Sequence, residues 1–118
     1  SIGGSTNWTS TSDRRLKNNI VAINYGLAEI MKLKPVSYTL KETGGKHIGF
    51  IAQDVQPIVP EVITGIEGDI EKGETLGMAY SELVPVLTKA IQEQQAIIEQ
   101  QQQNIESLLQ RIEALENK

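Results

Sequence analysis

The sequence predicts an α+β fold: a small helix plus antiparallel β-hairpins, followed by a long C-terminal helix forming a homotrimeric coiled coil. Three features carry this. Two strand-like runs, VSYTL at 36–40 and HIGFIA at 47–52, flank a Gly-Gly turn. A stretch with apolar residues at helical spacing, Leu27, Ile30, Met31 and Leu33, ends before Pro35. From Ser81 onward the apolar positions alternate in steps of three and four to the end of the chain.

Taken in order, residues 1–12 are rich in Ser, Thr, Gly and Asn and read as an N-terminal arm. Residues 13–80 form the α+β body, and 81–118 the coiled-coil helix. Within the body, Asn24 is the expected cap of the first helix, which Pro35 stops. After the first hairpin, Pro57 and Pro60 confine the next stretch to a short helical turn and a bend. GIEGDIEKGE reads as a hairpin tip and TLGMAY as a further strand. Tyr38 and Phe50 read as core or cross-strand partners, and Gln53 and Asp54 as a polar network at a bend.

Ser81-Glu82 opens the long helix, with Pro85 tolerated in its first turn. One line of the seam is Val84, Ile91, Ile98, Ile105 and Ile112; the other is Leu87, Gln94, Gln101, Leu108 and Leu115. Isoleucine at heptad position d shifts preference from two strands to three or four, and that reading of the seam predicts a trimer. Gln94 and Gln101 are polar seam residues that cost stability and fix register. The alternative is a single amphipathic helix packed on its own body, which at ~1.5 Å per residue would overhang it. Aromatic residues are few, Trp8, Tyr25, Tyr38, Phe50 and Tyr80, so part of the hydrophobic burial is expected between chains.

Composition narrows the function. The 118 residues carry a net charge of −4, and the basic residues are too scattered to track phosphates, so nucleic acid is not an expected partner. With no cysteine and a single histidine, His47, neither a thiolate nor a multi-histidine metal site can form, and no cofactor is expected. No stretch is long and apolar enough to span a membrane, so no membrane partner is expected. The chain starts without methionine and reads as a piece of something longer.

The candidate chemistry lies in STSDRRLKNN, where Ser12 stands five positions before Lys17. A serine hydroxyl needs a base to take its proton, and a neutral lysine can serve. Burial or nearby positive charge favours that neutral form, and Arg14 and Arg15 have the appropriate sign. Five residues do not place two side chains on one helical face, so the pair can meet only across a turn or bend. Asp13 can organise such a turn through the backbone amides ahead of it. The same residues also allow a plain reading in which Lys17 pairs with Asp13 and Ser12 caps a short helix.

The rest of the chain decides between these. SDRRLK, LKPVSY, HIGFIAQDVQPIVPE and MAYSELVPVLTKAIQEQ, in this order, resemble the self-cleaving C-terminal intramolecular chaperone domain of phage endosialidases, tailspikes and tail fibres, also found in the myelin regulatory factor family. The resemblance covers about residues 10–100. It implies a Ser-Lys dyad of Ser12 and Lys17, homotrimeric assembly, and a domain that helps the preceding fibre or tailspike segment fold before cutting itself off. The glycine-phenylalanine-x-alanine-glutamine block maps to Gly49, Phe50, Ala52 and Gln53. His47, at the head of that block, and Asp13 are candidate helpers. The expected scissile bond is Thr11–Ser12, since attack on the preceding carbonyl closes a five-membered ring. Ser12–Asp13 stays open if the attacking serine belongs to a neighbouring chain. Backbone amides near Asp13 or Asn18 are candidate oxyanion donors. The implied partners are the chain itself as a homotrimer and the upstream fibre domain, and the implied setting is a phage tail-fibre precursor made in the bacterial cytoplasm. The alternative is a trimerisation module that does not cut.

Overall fold

The computed structural model describes residues 9–118. The arm expected over 1–12 therefore lies mostly outside the described residues, as does Trp8.

A 3-10 turn, Arg14–Leu16, opens the described chain. After an extended exposed stretch comes a one-turn helix, α1, Leu27–Ile30. Strands β1, Val36–Thr39, and β2, Lys46–Gly49, pair antiparallel, with Val36 opposite Gly49 and Tyr38 opposite His47. The turn between them closes through Gly44, whose positive φ of 70° suits a residue without a side chain. A second short helix, α2, Ala52–Val55, runs into a 3-10 turn at Pro60–Val62. Strands β3, Ile63–Gly65, and β4, Leu76–Met78, form a second antiparallel hairpin. A 3-10 turn, Tyr80–Glu82, then feeds α3, Leu83–Glu116, a helix of 34 residues.

Several boundaries differ from expectation: α1 ends at Ile30, short of Met31 and Leu33, and α3 begins at Leu83 after a 3-10 turn rather than at Ser81. The first helix does not start at Asn24, which sits in a bend; Gly26 is its N-cap. The helical N-terminus leaves amides in need of acceptors, and carboxylates supply them. Glu29 Oε1 accepts from Gly26 N–H at 2.8 Å, and Glu93 Oε1, from α3, accepts from Leu27 N–H at 2.8 Å. The second strand stops at Gly49 rather than running to Ala52, because Ile51 and Ala52 turn into α2.

The core is small. Val55, Val59 and Val62 are 1 % exposed, and Leu83 and Val86 of α3 close over them. Tyr25, Ile30, Leu33, Phe50, Ile58, Ile63 and Met78 pack around this centre. Leu83, Val86 and Ala90 use one edge of α3 against the body, and no described residue after Ala90 is buried. The seam points elsewhere: Ile91 is 64 % and Leu115 66 % exposed. The lone-helix alternative thus describes only the first two turns of α3.

Counting the steps along α3 also corrects the seam labels. The short step of three runs from Val84 to Leu87 and from Ile91 to Gln94. The isoleucines therefore occupy a, and Leu or Gln occupies d. That arrangement does not select three strands over two, so the expectation of a trimer loses this support. A different feature bears on strand number. Ile97 at g and Leu109 at e are both about half exposed and widen the apolar stripe beyond a strict a/d seam.

The two hairpins meet at Tyr80. Its hydroxyl accepts from Phe50 N–H at 3.1 Å, and the two rings lie 6.2 Å apart. A Cβ on Gly49 would stand 2.6 Å from that hydroxyl oxygen. Gly49→Ala is therefore expected to lower stability by about 1–3 kcal/mol through overpacking. Tyr80→Phe, which leaves the Phe50 amide without its acceptor, is expected to cost about 1–3 kcal/mol. Urea unfolding followed by tyrosine fluorescence checks both.

Candidate active site

The site begins with the local chemistry of residues 12–17. Asp13 is extended and caps the 3-10 turn: its Oδ1 accepts from Arg15 N–H at 2.9 Å. The turn closes with Leu16 N–H to Asp13 O at 3.0 Å and Lys17 N–H to Arg14 O at 3.1 Å. The Arg15 guanidinium folds back onto the Asp13 carboxylate, 2.8 Å from Oδ2. One 3-10 turn spans the five-residue offset, and Lys17 Nζ lies 2.9 Å from Ser12 Oγ.

The plain reading of these residues does not describe the structure. Arg15, not Lys17, takes Asp13, and Asp13, not Ser12, caps the turn. That division of labour leaves the lysine amine for the serine hydroxyl. Asp13 thus shapes the turn.

Charge keeps this cap in place. The hydrogen bonds from the Arg15 side chain and then from its amide hold the Asp13 carboxyl below the usual aspartate range. A carboxylate with a lowered folded-state pKa supports structure above its ordinary value, near ~3.9, and loses that support as pH falls through the folded one. The turn is therefore expected to stay capped at pH 4 and to open only in stronger acid. An NMR titration of the Asp13 carboxyl and the Arg15 amide checks this.

Other candidates sit apart from the pair. His47 lies on exposed β2, stacked on Tyr38 with ring centroids 5.8 Å apart. Among the described residues, no hydrogen bond joins it to Ser12 or Lys17 in the single chain. Gly49, Phe50, Ala52 and Gln53 build the β2–α2 corner on which Tyr80 docks. The Arg15, Leu16 and Lys17 amides are engaged by the turn, whereas those of Asp13 and Asn18 take no hydrogen bond among the described residues. Thr11, Ser12, Asp13 and Lys17 are all exposed. No cluster of metal-ligating side chains occurs among the described residues.

Residues 12–64 match the family model described as chaperone of endosialidase, a family of serine-peptidase type. The likeness covers just under half of the chain. The match starts at Ser12, takes in the turn, both strands of the first hairpin and α2, and ends in β3. The α3 seam lies beyond it and rests on this chain's own heptads. No curated protein matches the chain significantly.

Local sequence reasoning missed the residues that tie the N-terminal segment to α3. Lys89 and Glu93 look like a solvent-facing i, i+4 pair. Instead, the Lys89 amine donates to the Ile23 carbonyl, and Glu93 caps α1. No local signal marks such partners, 66 residues away in the chain.

Proposed function

We propose that this chaperone domain assembles as a homotrimer through α3, aids folding of the segment that precedes it, and releases that segment by autoproteolysis beside Ser12. The 2.9 Å contact between Ser12 Oγ and Lys17 Nζ carries the reading. With the amine neutral, the contact reverses: the serine O–H donates to Nζ. Ser12 Oγ then attacks the Thr11 carbonyl carbon while its proton passes to Lys17. The C–N bond breaks, the Ser12 nitrogen takes the proton back, and an ester joins Thr11 to Ser12 Oγ. Water hydrolyses the ester, leaving a carboxylate on Thr11 and a new amino terminus at Ser12. Attack from a neighbouring chain would instead permit cutting at Ser12–Asp13.

The substrate is tethered, so no binding step precedes the chemistry. Timing follows from exposure. Lys17 is open to water in the single chain, and an ammonium taken out of water without an ionic partner favours its neutral form. Packing of neighbouring chains over residues 12–17 would supply that burial, so cutting would wait for assembly. The exposed seam of α3 and the small intrachain core support assembly as the source of the missing burial. His47 and Asp13 keep helper roles in this proposal, Asp13 by shaping the turn and His47 only once chains pack together. A preceding fibre or tailspike segment, made in a bacterial host and carried on a phage, is the partner and setting this family favours.

Intact mass of the assembled protein, beside a Ser12→Ala variant, tests the reading. Loss of the residues before Ser12 in the parent alone supports it. Two whole proteins of trimer mass would leave a trimerisation module that does not cut.

A further inference from the structure

We infer that Lys89 and Glu93 of α3 are positioning residues for the cutting turn. The inference rests on the proposed autoproteolysis.

Residues 9–24 are exposed throughout, and the hydrogen bonds of the Ser12–Lys17 turn all stay within it among the described residues. The first hydrogen bond that ties this segment to the body is made by Lys89, whose amine donates to the Ile23 carbonyl. One helical turn further on, Glu93 Oε1 accepts from Leu27 N–H at 2.8 Å. Gly26 makes the approach feasible: it is buried, and a Cβ there would fall 1.8 Å from the Glu93 oxygen. Lys89 and Glu93 thus grip the chain at both ends of 23–27, a few residues downstream of Lys17.

The location gives the grip its meaning. Lys89 and Glu93 alternate along α3 with the seam residues Leu87, Ile91 and Gln94. Residues four apart share one side of a helix, and positions f and c, which Lys89 and Glu93 occupy, face away from the a/d seam, so the grip leaves the seam free to zip. When the helices zip, the start of the cutting segment is fixed relative to the seam. At ~3.3–3.6 Å per residue, the six residues from Lys17 to Ile23 reach at most about 20 Å. The turn is thereby held within that reach of Lys89, at a place that the zipped helices fix. Without the grip, the segment keeps its internal Ser12–Lys17 contact but loses its address.

Glu93→Ala removes the acceptor, Lys89→Met removes the donor, and Glu93→Gln keeps an oxygen in place. Gly26→Ala displaces the Glu93 carboxylate without altering α3. A misplaced reacting group costs about 10- to 100-fold in rate. Cutting, followed by intact mass, is expected to slow by that factor in Glu93→Ala, Lys89→Met and Gly26→Ala. Glu93→Gln should stay within about threefold of the parent, with sedimentation unchanged in all four. A second readout does not depend on cutting. In a Ser12→Ala background, Gly26→Ala and Glu93→Ala should speed hydrogen exchange at 20–27, and Glu93→Gln should not. Unchanged exchange in both disruptive variants overturns the inference, as does parental cutting in assembled Glu93→Ala and Gly26→Ala. A parent that never cuts overturns the autoproteolytic reading and leaves the exchange measurement to decide whether the grip exists. If Glu93→Ala fails to assemble, Gly26→Ala decides alone.

Discussion

Replacing Ser12 with alanine is expected to leave the preceding segment attached, with the assembled state unchanged. Loss of a catalytic nucleophile lowers a rate by roughly a millionfold, enough to turn complete cutting into none on a laboratory timescale. Ser12 is exposed and caps nothing, since Asp13 holds the turn, so the substitution should not disturb the fold. Lys17→Met should be equally inactive. Lys17→Arg should be inactive too, because a guanidinium does not give up its proton in a protein. These three variants separate chemistry from charge: if Lys17 only donated a hydrogen bond to Ser12, arginine would preserve function. The fragment masses then place the bond. A C-terminal fragment beginning at Ser12 fixes Thr11–Ser12. Hydroxylamine, which cleaves esters but spares amides, should speed release if the acyl group first moves to Ser12 Oγ. A fragment beginning at Asp13 would require attack between chains.

The parts of this molecule that the sequence reveals are those whose partners lie nearby. The Gly44-Gly45 turn announces the first hairpin because only a residue without Cβ takes a positive φ freely, and the structure pairs Val36–Thr39 with Lys46–Gly49. The α3 helix is legible for the same reason, since its pattern repeats over many turns. By contrast, α1 is misplaced from sequence because its start depends on Glu93, far along the chain. Asn24 has the better capping chemistry, yet Gly26 caps because only a glycine leaves room for that carboxylate. The Ser12–Lys17 contact is an intermediate case. Its feasibility follows from Asp13 and a turn, but nothing local says that Arg15 will take Asp13 and leave Lys17 to the serine. His47 is the opposite: its place at the head of the GFIAQ block is clear, while in the structure it stacks on Tyr38 and makes no hydrogen bond to Ser12 among the described residues.

The second large effect concerns the seam. Ile98→Asp is expected to dissociate the assembly to the 13.0 kDa single chain and to melt most of α3 beyond Ala90. Each isoleucine buried at an a position contributes about 1.5–3 kcal/mol. A carboxylate there adds a desolvation penalty of several kcal/mol per ion, and symmetry places one such charge from every chain around a single axis. The helix has little else to hold it, since nothing after Ala90 is buried within the chain. In proteins most helical stability comes from packing of an apolar face rather than from propensity. Gln100→Asp, on the outer face two positions away, should leave mass and helicity as they were. Sedimentation and circular dichroism read both outcomes, and the parent's mass settles whether the a/d pattern, widened by Ile97 and Leu109, closes at two strands or three. The same variant joins assembly to chemistry. If Lys17 is buried by neighbouring chains, Ile98→Asp should not cut although Ser12 and Lys17 are intact. A monomer that cuts at the parental rate would show a site complete within one chain, and would remove assembly from the trigger.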